Sequence, residues 1–307
     1  MDIGSGSDTG FDGRSGGGSG AADTTRVMTW NLWWRFGNWR ERRDAIVRTL
    51  ADVRPDVVGL QEVWGSADGN LAGWLADELG MEWAWSRAPV QDRWHGRNGG
   101  DTTVDVGVAV LSRHPILETA ERRLPAGAAA DDGKTALHTL IDAPGGPLPF
   151  FTTHLNSGAA DSAARCLQVR ELAAFVAERS TGGHPPVVTG DFNAEPDFDE
   201  IRLMGGYRTA PAVPGLVLVD AWRFADPALP NGTWDITRQD SANFGNRPTC
   251  LDYIFVGMPT AGGTRGAVQR AHRAGDRRID GVWPSDHAAV VADLAQGAAT
   301  DGGPNTP

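Results

Sequence analysis

Lysine is almost missing from this chain. Of the 28 basic residues among 307, Lys134 is the single lysine and the rest are arginine, a pattern that reads as a nucleotide-composition bias of the source. Basic charge is also short overall, since 28 Lys and Arg face 39 Asp and Glu for a net charge of −11. Affinity for nucleic acid comes mainly from neutralised phosphates, so this balance excludes indiscriminate nucleic-acid binding while leaving room for a local basic track. Cysteine is scarce. Cys166 and Cys250 fit no zinc spacing and form no disulfide framework, and they read as reduced structural thiols. No apolar run approaches the ~20 residues of a membrane-spanning helix, so stable membrane insertion is not expected. The N-terminus sets Ile3 and Phe11 alone among Gly, Ser and Asp, without the apolar core of a secretory signal. A cytoplasmic monomer is the expectation.

What is present suffices for a core, because 40% of the residues are hydrophobic. Residues 1–25 are rich in Gly, Ser and Asp and bury too little apolar surface to offset chain entropy, so they read as a tail, as do residues 297–307. Between them, over 26–296, strand-like and helix-like runs alternate in the manner of one α/β domain. Strands are expected at 26–32, 56–63, 107–112, 135–141, 149–154, 186–190, 251–256 and 288–294. Ile46, Val47, Leu50 and Val53 recur at helical spacing over 39–53, and Pro55 stops that helix. A second long helix is expected over 160–179, with Val169, Leu172, Phe175 and Val176 on one face.

Polar groups capable of catalysis fall at the ends of the apolar strands. Asn31 ends the first and Glu62 the second; His154 ends the Phe-Phe-Thr-Thr run. Asp191 and Asn193 follow Val187-Val188-Thr189-Gly190, Asp252 opens the run to Val256, and Asp286-His287 precedes the last strand. A side chain at a strand end is held by a rigid sheet yet reaches a cleft. Each piece alone is weak, since a lone Gly-Asp-x-Asn or Ser-Asp-His is usually a turn. A Glu closing an apolar strand has fewer bland explanations, because an unpaired buried carboxylate is costly.

Taken in order, TWN (29–31), QE (61–62), GVAVLSRHPI (107–116), TTH (152–154), GDFN (190–193), LDYIF (251–255) and SDH (285–287) resemble the endonuclease/exonuclease/phosphatase superfamily over nearly the whole chain. The resemblance implies a deoxyribonuclease I-like fold, a four-layer α/β/β/α sandwich of two mixed sheets, where composition and periodicity support only α/β. It implies Mg²⁺-dependent hydrolysis of a phosphoester, with Mn²⁺ a possible substitute. Glu62, Asn31 and Asp286 would serve the metal, Asp191 and Asn193 the attacking water, and His154 the phosphate. Asp252 and His287 resemble the family's Asp–His pair, in which the carboxylate fixes the imidazole tautomer.

The substrate is less legible. Trp33, where abasic-site nucleases often carry a carboxylate, and His154, where they carry Tyr, place the chain nearer the His-bearing branches. Those include deoxyribonuclease I-like, sphingomyelinase-like and inositol-phosphatase-like proteins. Many relatives also carry an Arg just before the Asp of LDYIF; here the order is Thr249-Cys250-Leu251-Asp252, with Arg247 further back. A nuclease-like phosphodiesterase is the first expectation, a phospholipid, sphingomyelin or small phosphomonoester hydrolase the alternative, and a catalytically inactive binding module the rival of another class. The segment 91–105, with Trp94, His95, Arg97 and Asn98, is either a Gly-rich surface loop or a base-stacking element. Arg265, Arg270, Arg273, Arg277 and Arg278 read as a solvated hairpin face. The tryptophans of the first third read as core and rim packing, and His95, His114, His138, His184 and His272 as ordinary histidines.

Overall fold

The structure is a computed structural model and describes residues 24–180, 183–237, 248–259 and 263–297. Most of both expected tails, together with Arg247, lies outside the described residues. In chain order come β1 (Thr24–Asn31), α1 (Trp39–Val53), β2 (Val57–Ser66), β3 (Gly69–Asn70), α2 (Leu71–Leu79), β4 (Glu82–Arg87), α3 (Asp92–Arg97) and β5 (Val104–Ser112). They are followed by β6 (Ile116–Arg123), β7 (Thr135–Ala143), β8 (Gly146–His154), α4 (Ser162–Arg179), β9 (Val187–Asp191) and α5 (Asp199–Gly205). Next are β10 (Leu218–Asp220), a 3₁₀ turn (Ala221–Phe224), β11 (Asp252–Gly257), β12 (Val268–Ala274) and β13 (Ala289–Ala295).

Two sheets result. One runs β12-β13-β1-β2-β5-β4, with β3 folded back on β2, and the other β10-β11-β9-β8-β7-β6. Both are mixed: β1 lies parallel to β2 and antiparallel to β13, while β8 lies parallel to β9 and antiparallel to β7. Three apolar layers account for the packing. Met28, Leu60 and Val291 of the first sheet meet Ile46 and Leu50 of α1 and Leu75 of α2. Val27, Val57 and Val110 meet Phe150, Val187 and Ile254 between the sheets. Phe151, Val188 and Phe255 meet Val169, Leu172 and Phe175 of α4 and Met204 of α5. This is the α/β/β/α order that the resemblance implied. Among the described residues no helix is long and apolar enough to cross a membrane.

β2 shows why the sheets lie so close. Val58 and Leu60 point to the helices and Val57 to the second sheet, the period-2 alternation of a strand. Gly59 faces the second sheet, where a Cβ would stand 2.1 Å from Thr189 Oγ1 and 2.7 Å from Thr152 Oγ1. Gln61 follows on that face and donates to Thr152 Oγ1 (2.9 Å) and Thr29 Oγ1 (3.0 Å). A buried polar seam therefore runs between the sheets toward the end where the strands finish.

Several expectations are corrected. Thr24 and Thr25, placed in the tail, already pair with Ala295 and Leu294 in the sheet. The segment 91–105 holds a helical turn, and Trp94 is buried in the core against Trp34 and Phe36, so it offers no stacking platform. Elements α2, β4, β6, α5 and β10 lie outside the expected strands and helices. The 265–278 segment, by contrast, is the hairpin face expected: edge strand β12 runs antiparallel to β13, with Arg270 paired to Asp293 and Arg273 to Asp276.

Candidate active site

The two parallel pairs end on the same edge of the sandwich, and pairing aligns their last residues. Asn31 sits opposite Gln61, His154 opposite Asp191, and Asp191 opposite Asp252. The register of β2 against β5 shifts between Leu60 and Val63, and Glu62 adopts φ 52°. A bulge of this kind re-aims one side chain; without it Glu62 would follow the strand alternation rather than turn into the cleft. Asn193 has φ 50°, and Trp33 and Trp34 have φ 55° and 34°. Such left-handed non-glycine residues persist where the surroundings over-determine them.

Arg42 of α1 supplies part of that determination. Its buried guanidinium donates to the carbonyls of Leu32, Trp33, Trp34 and Phe36 and to that of Pro284, at 2.8–3.0 Å. One side chain thus ties the loop after Asn31 to the loop before Ser285. Burial lowers its pKa to about 10 against the opposing charges of Asp286 and Glu62, so it stays charged at neutral pH. Ser285 Oγ donates to the Asn31 carbonyl (2.7 Å) and accepts from the His287 N–H (3.1 Å).

All eight residues singled out from the sequence converge here. Asn31 Nδ2 donates to Glu62 Oε1 (3.2 Å) and Asp191 Oδ2 (3.0 Å), while its Oδ1 accepts from the Trp33 N–H. Asp191 Oδ1 accepts from the Asn193 N–H (2.9 Å), and Asn193 Nδ2 donates to the Leu155 carbonyl. His287 Nδ1 lies 2.8 Å from Asp252 Oδ2. His154 Nε2 and His287 Nε2 flank Asp191 Oδ2 at 3.6 and 3.8 Å. Asp286 accepts from Trp234 Nε1 at 3.3 Å. Glu62, His154, Asp191, Asn193, Asp286 and His287 line a cleft of about 690 Å³, with Asn31 and Asp252 buried behind them. Arg93, Arg97, Phe36, Phe198, Trp234 and Leu251 are among the other residues of its walls.

The electrostatics divide the groups. Burial raises Glu62 above the usual carboxylate range, opposed by His287 and Asn31. Burial and the neighbouring Asp252 likewise raise Asp191, and burial raises Asp286 to about 6. For His287 burial alone would lower the pKa, but the charge and hydrogen bond of Asp252, with Asp191 and Asp286, carry it well above the ordinary value. His154 is driven well below that value by burial and by Lys134 and His287. At neutral pH the cleft therefore holds an imidazolium at 287 and a neutral imidazole at 154.

Two observations bear on a metal. Glu62 Oε2 is sealed from solvent and has no hydrogen-bond partner among the described residues, an arrangement that costs several kcal/mol unless a cation meets it. Oxygens of Asp191 and Asp252 and a nitrogen of His287 also lie within 4.8 Å of one another. His287 Nδ1 is already engaged by Asp252 Oδ2 at 2.8 Å, whereas Glu62 Oε2 is without a partner, so Glu62, beside Asn31 and near Asp286, also fits a hard cation.

Lys134, noted in the sequence only as the single lysine, lies behind His154 and adds charge to the site. It is buried, and it lines a small recess together with His154 and Asp132. Burial lowers its pKa to about 8, against Asp132, Glu62 and Asp191, which leaves it mostly charged at neutral pH. Gly133, with φ 66° and a Cβ position 2.4 Å from the Val90 nitrogen, makes the turn that delivers it. The available signal was a lone lysine, in a chain that otherwise uses arginine, placed directly before an apolar strand. His95, His114, His138, His184 and His272 do not line the cleft.

A family model described as the Endonuclease/Exonuclease/phosphatase family matches residues 28–287. A putative neutral sphingomyelinase of Caenorhabditis elegans is 30% identical over 226 residues, which cover 67% of this chain and 47% of the relative, so the chain spans about half its length. Sphingomyelinase C of Bacillus cereus is 26% identical over 261 residues, covering 76% of this chain and 75% of that protein. Among solved structures, the catalytic domain of human nocturnin matches with a TM-score of 0.62 at 21% identity, covering 88% of this chain and 93% of that one.

Proposed function

The chain belongs to the endonuclease/exonuclease/phosphatase family, a family of phosphoesterase hydrolases, and from that membership we propose that it is a Mg²⁺-dependent phosphodiesterase. The observation that carries this reading is a partnerless buried carboxylate oxygen on Glu62 in the same cleft as an Asp252–His287 pair directed at Asp191. Uncatalysed phosphate ester hydrolysis requires accelerations of roughly 10¹⁷-fold or more, and one acid–base group supplies about 10²–10⁴. Several positioned groups and a cation are needed together. Glu62 and Asp286 would hold the metal, with Asn31 Nδ2 steadying the Glu62 carboxylate, and the metal would supply Lewis-acid stabilisation of charge on the phosphate oxygens. Asp191, its basicity raised by burial, accepts the proton of the attacking water, and Asn193 fixes the Asp191 carboxylate through its backbone N–H. His287 imidazolium, held in orientation by Asp252, neutralises a phosphate oxygen and gives its proton to the leaving oxygen. His154, on the cleft wall, faces a remaining oxygen, with the Lys134 charge behind it.

Within that activity a phospholipid-type substrate, sphingomyelin in particular, is the better fit. Two curated relatives carry sphingomyelinase in their names, and the chain's net charge of −11 works against a nucleic-acid polyanion. Phe36, Phe198, Trp234 and Leu251 give the cleft an apolar wall for a substrate that is more than phosphate. A parallel panel tests both levels: sphingomyelin vesicles, phosphoinositides, plasmid DNA and bis(4-nitrophenyl) phosphate, each with Mg²⁺ and with EDTA. Turnover of at least one diester that EDTA abolishes is expected, with sphingomyelin foremost. Plasmid cleavage without sphingomyelin turnover restores the nuclease reading, and no Mg²⁺-dependent turnover of any diester sinks the enzyme reading.

A further inference from the structure

A second cavity of about 210 Å³ shares no lining residue with the cleft. Its walls include Tyr207, Arg208, Trp222, Arg223 and Asn231, with Asp220 at its base. Arg208 and Arg223 form no ion pair among the described residues; Arg223 instead lies 5.5 Å from the centroid of the Tyr207 ring. Arg202, also on the wall, is already matched by Asp199. Asp220 answers one of the two free guanidinium charges at most, and its Oδ1 is engaged by the Trp222 N–H at 2.9 Å. The cavity therefore holds surplus positive charge between two aromatic side chains. It is smaller than the ~300–1,000 Å³ typical of cofactor sites, a size that suits a compact anion with a short organic group. Guanidinium forks match phosphate oxygens in a bidentate manner.

Trp222 connects this cavity to the catalytic pair. Its indole Nε1 donates to the carbonyl of Asp252 at 3.0 Å, and Asp252 is the residue that orients His287. We infer that the cavity is an effector site for a small phosphomonoester, held by Arg208 and Arg223 against Tyr207 and Trp222, whose occupancy steadies Trp222 and through it Asp252. Nothing in the cleft depends on these two exposed arginines, so removing them leaves the fold and basal turnover intact.

The test uses phenyl phosphate as probe on the full chain in EDTA, followed by calorimetry, with phenol as the control lacking the phosphate. Wild-type protein binds phenyl phosphate but not phenol, Lys134→Ala retains a binding event, and Arg208→Ala/Arg223→Ala weakens that event by at least tenfold. A double-variant isotherm superimposable on wild type overturns the site. The second arm rests on the activity proposed above and reads kcat, which a competitor in the cleft leaves unchanged, with bis(4-nitrophenyl) phosphate as substrate. Phenyl phosphate raises kcat about twofold in wild type, and in Trp222→Phe, which keeps the wall but lacks the N–H to Asp252, the effect vanishes while binding persists. A wild-type kcat indifferent to phenyl phosphate, or an equal rise in the double variant, overturns the coupling, and the binding arm still stands or falls by itself.

Discussion

At the scale of single residues, the site is a set of ionisable groups whose charges are set by burial and by one another. Glu62→Gln keeps the shape and removes the charge. It is expected to lower kcat/KM by roughly 10³-fold, the several kcal/mol that a Lewis acid contributes, and to abolish Mg²⁺ dependence. Because a carboxylate with one sealed, partnerless oxygen is replaced by a neutral amide that can still accept from Asn31, the metal-free variant should melt no lower than wild type; a clear loss of melting temperature would mark Glu62 as structural. Asp252→Asn separates orientation from charge. His287 is raised chiefly by Asp252 against the lowering effect of burial, so as an acid it remains protonated through neutral pH and is lost only as pH rises through its folded value. In Asp252→Asn that loss moves to lower pH and kcat falls by about 10²–10⁴. Profiles of kcat/KM against pH with coincident alkaline limbs in the two proteins would remove His287 from the acid role.

At the scale of elements, the strand ends were legible because polar residues terminate apolar runs, and α1 and α4 because their apolar faces repeat every three to four residues. What could not be read was the backbone that aims the side chains. The bulge that turns Glu62 leaves no mark in the order Leu60-Gln61-Glu62-Val63, and Arg42 looked like an ordinary member of a polar helix face. Trp94 was misjudged for a related reason: a Gly-rich flank suggested an exposed loop, whereas burial against Trp34 and Phe36 outweighs local composition. Two changes examine these devices. Gly59→Ala would drive a methyl group into Thr189 and Thr152, and overpacking of this kind costs about 1–3 kcal/mol; an unchanged urea midpoint would mean the sheets are less closely packed than described. Arg42→Met strands five carbonyls and frees the loop 32–36 from Pro284. A stability loss of about 3–5 kcal/mol is expected, the scale for breaking a buried charged network, together with a fall in activity greater than the unfolded fraction explains.

At the scale of the whole molecule, the acidic balance and the cleft work against each other until a cation arrives. Asp286 has a folded pKa of about 6, and Glu62 and Asp191 are also raised. Each therefore binds protons more readily in the folded chain than in the unfolded one. For a raised carboxylate the folded state is favoured on the acid side, and that advantage is lost as pH rises through the folded value. Near neutral pH the metal-free cleft is thus a cluster of reluctant anions inside a chain of net charge −11. A divalent cation bound there stabilises the folded state by about 2.7 kcal/mol at a hundredfold excess over its Kd, and it must compete with protons for the same oxygens. His138, which burial lowers to about 4, weakens the fold on acidification in the opposite sense, so the melting temperature of the apo protein alone does not isolate the cleft. The gain in melting temperature on adding Mg²⁺ does, because His138 contributes equally with and without the ion. That gain should be larger at about pH 7.5 than at about pH 5.5, and it should vanish at both in Glu62→Gln. An equal gain at the two pH values would place the cation away from these carboxylates.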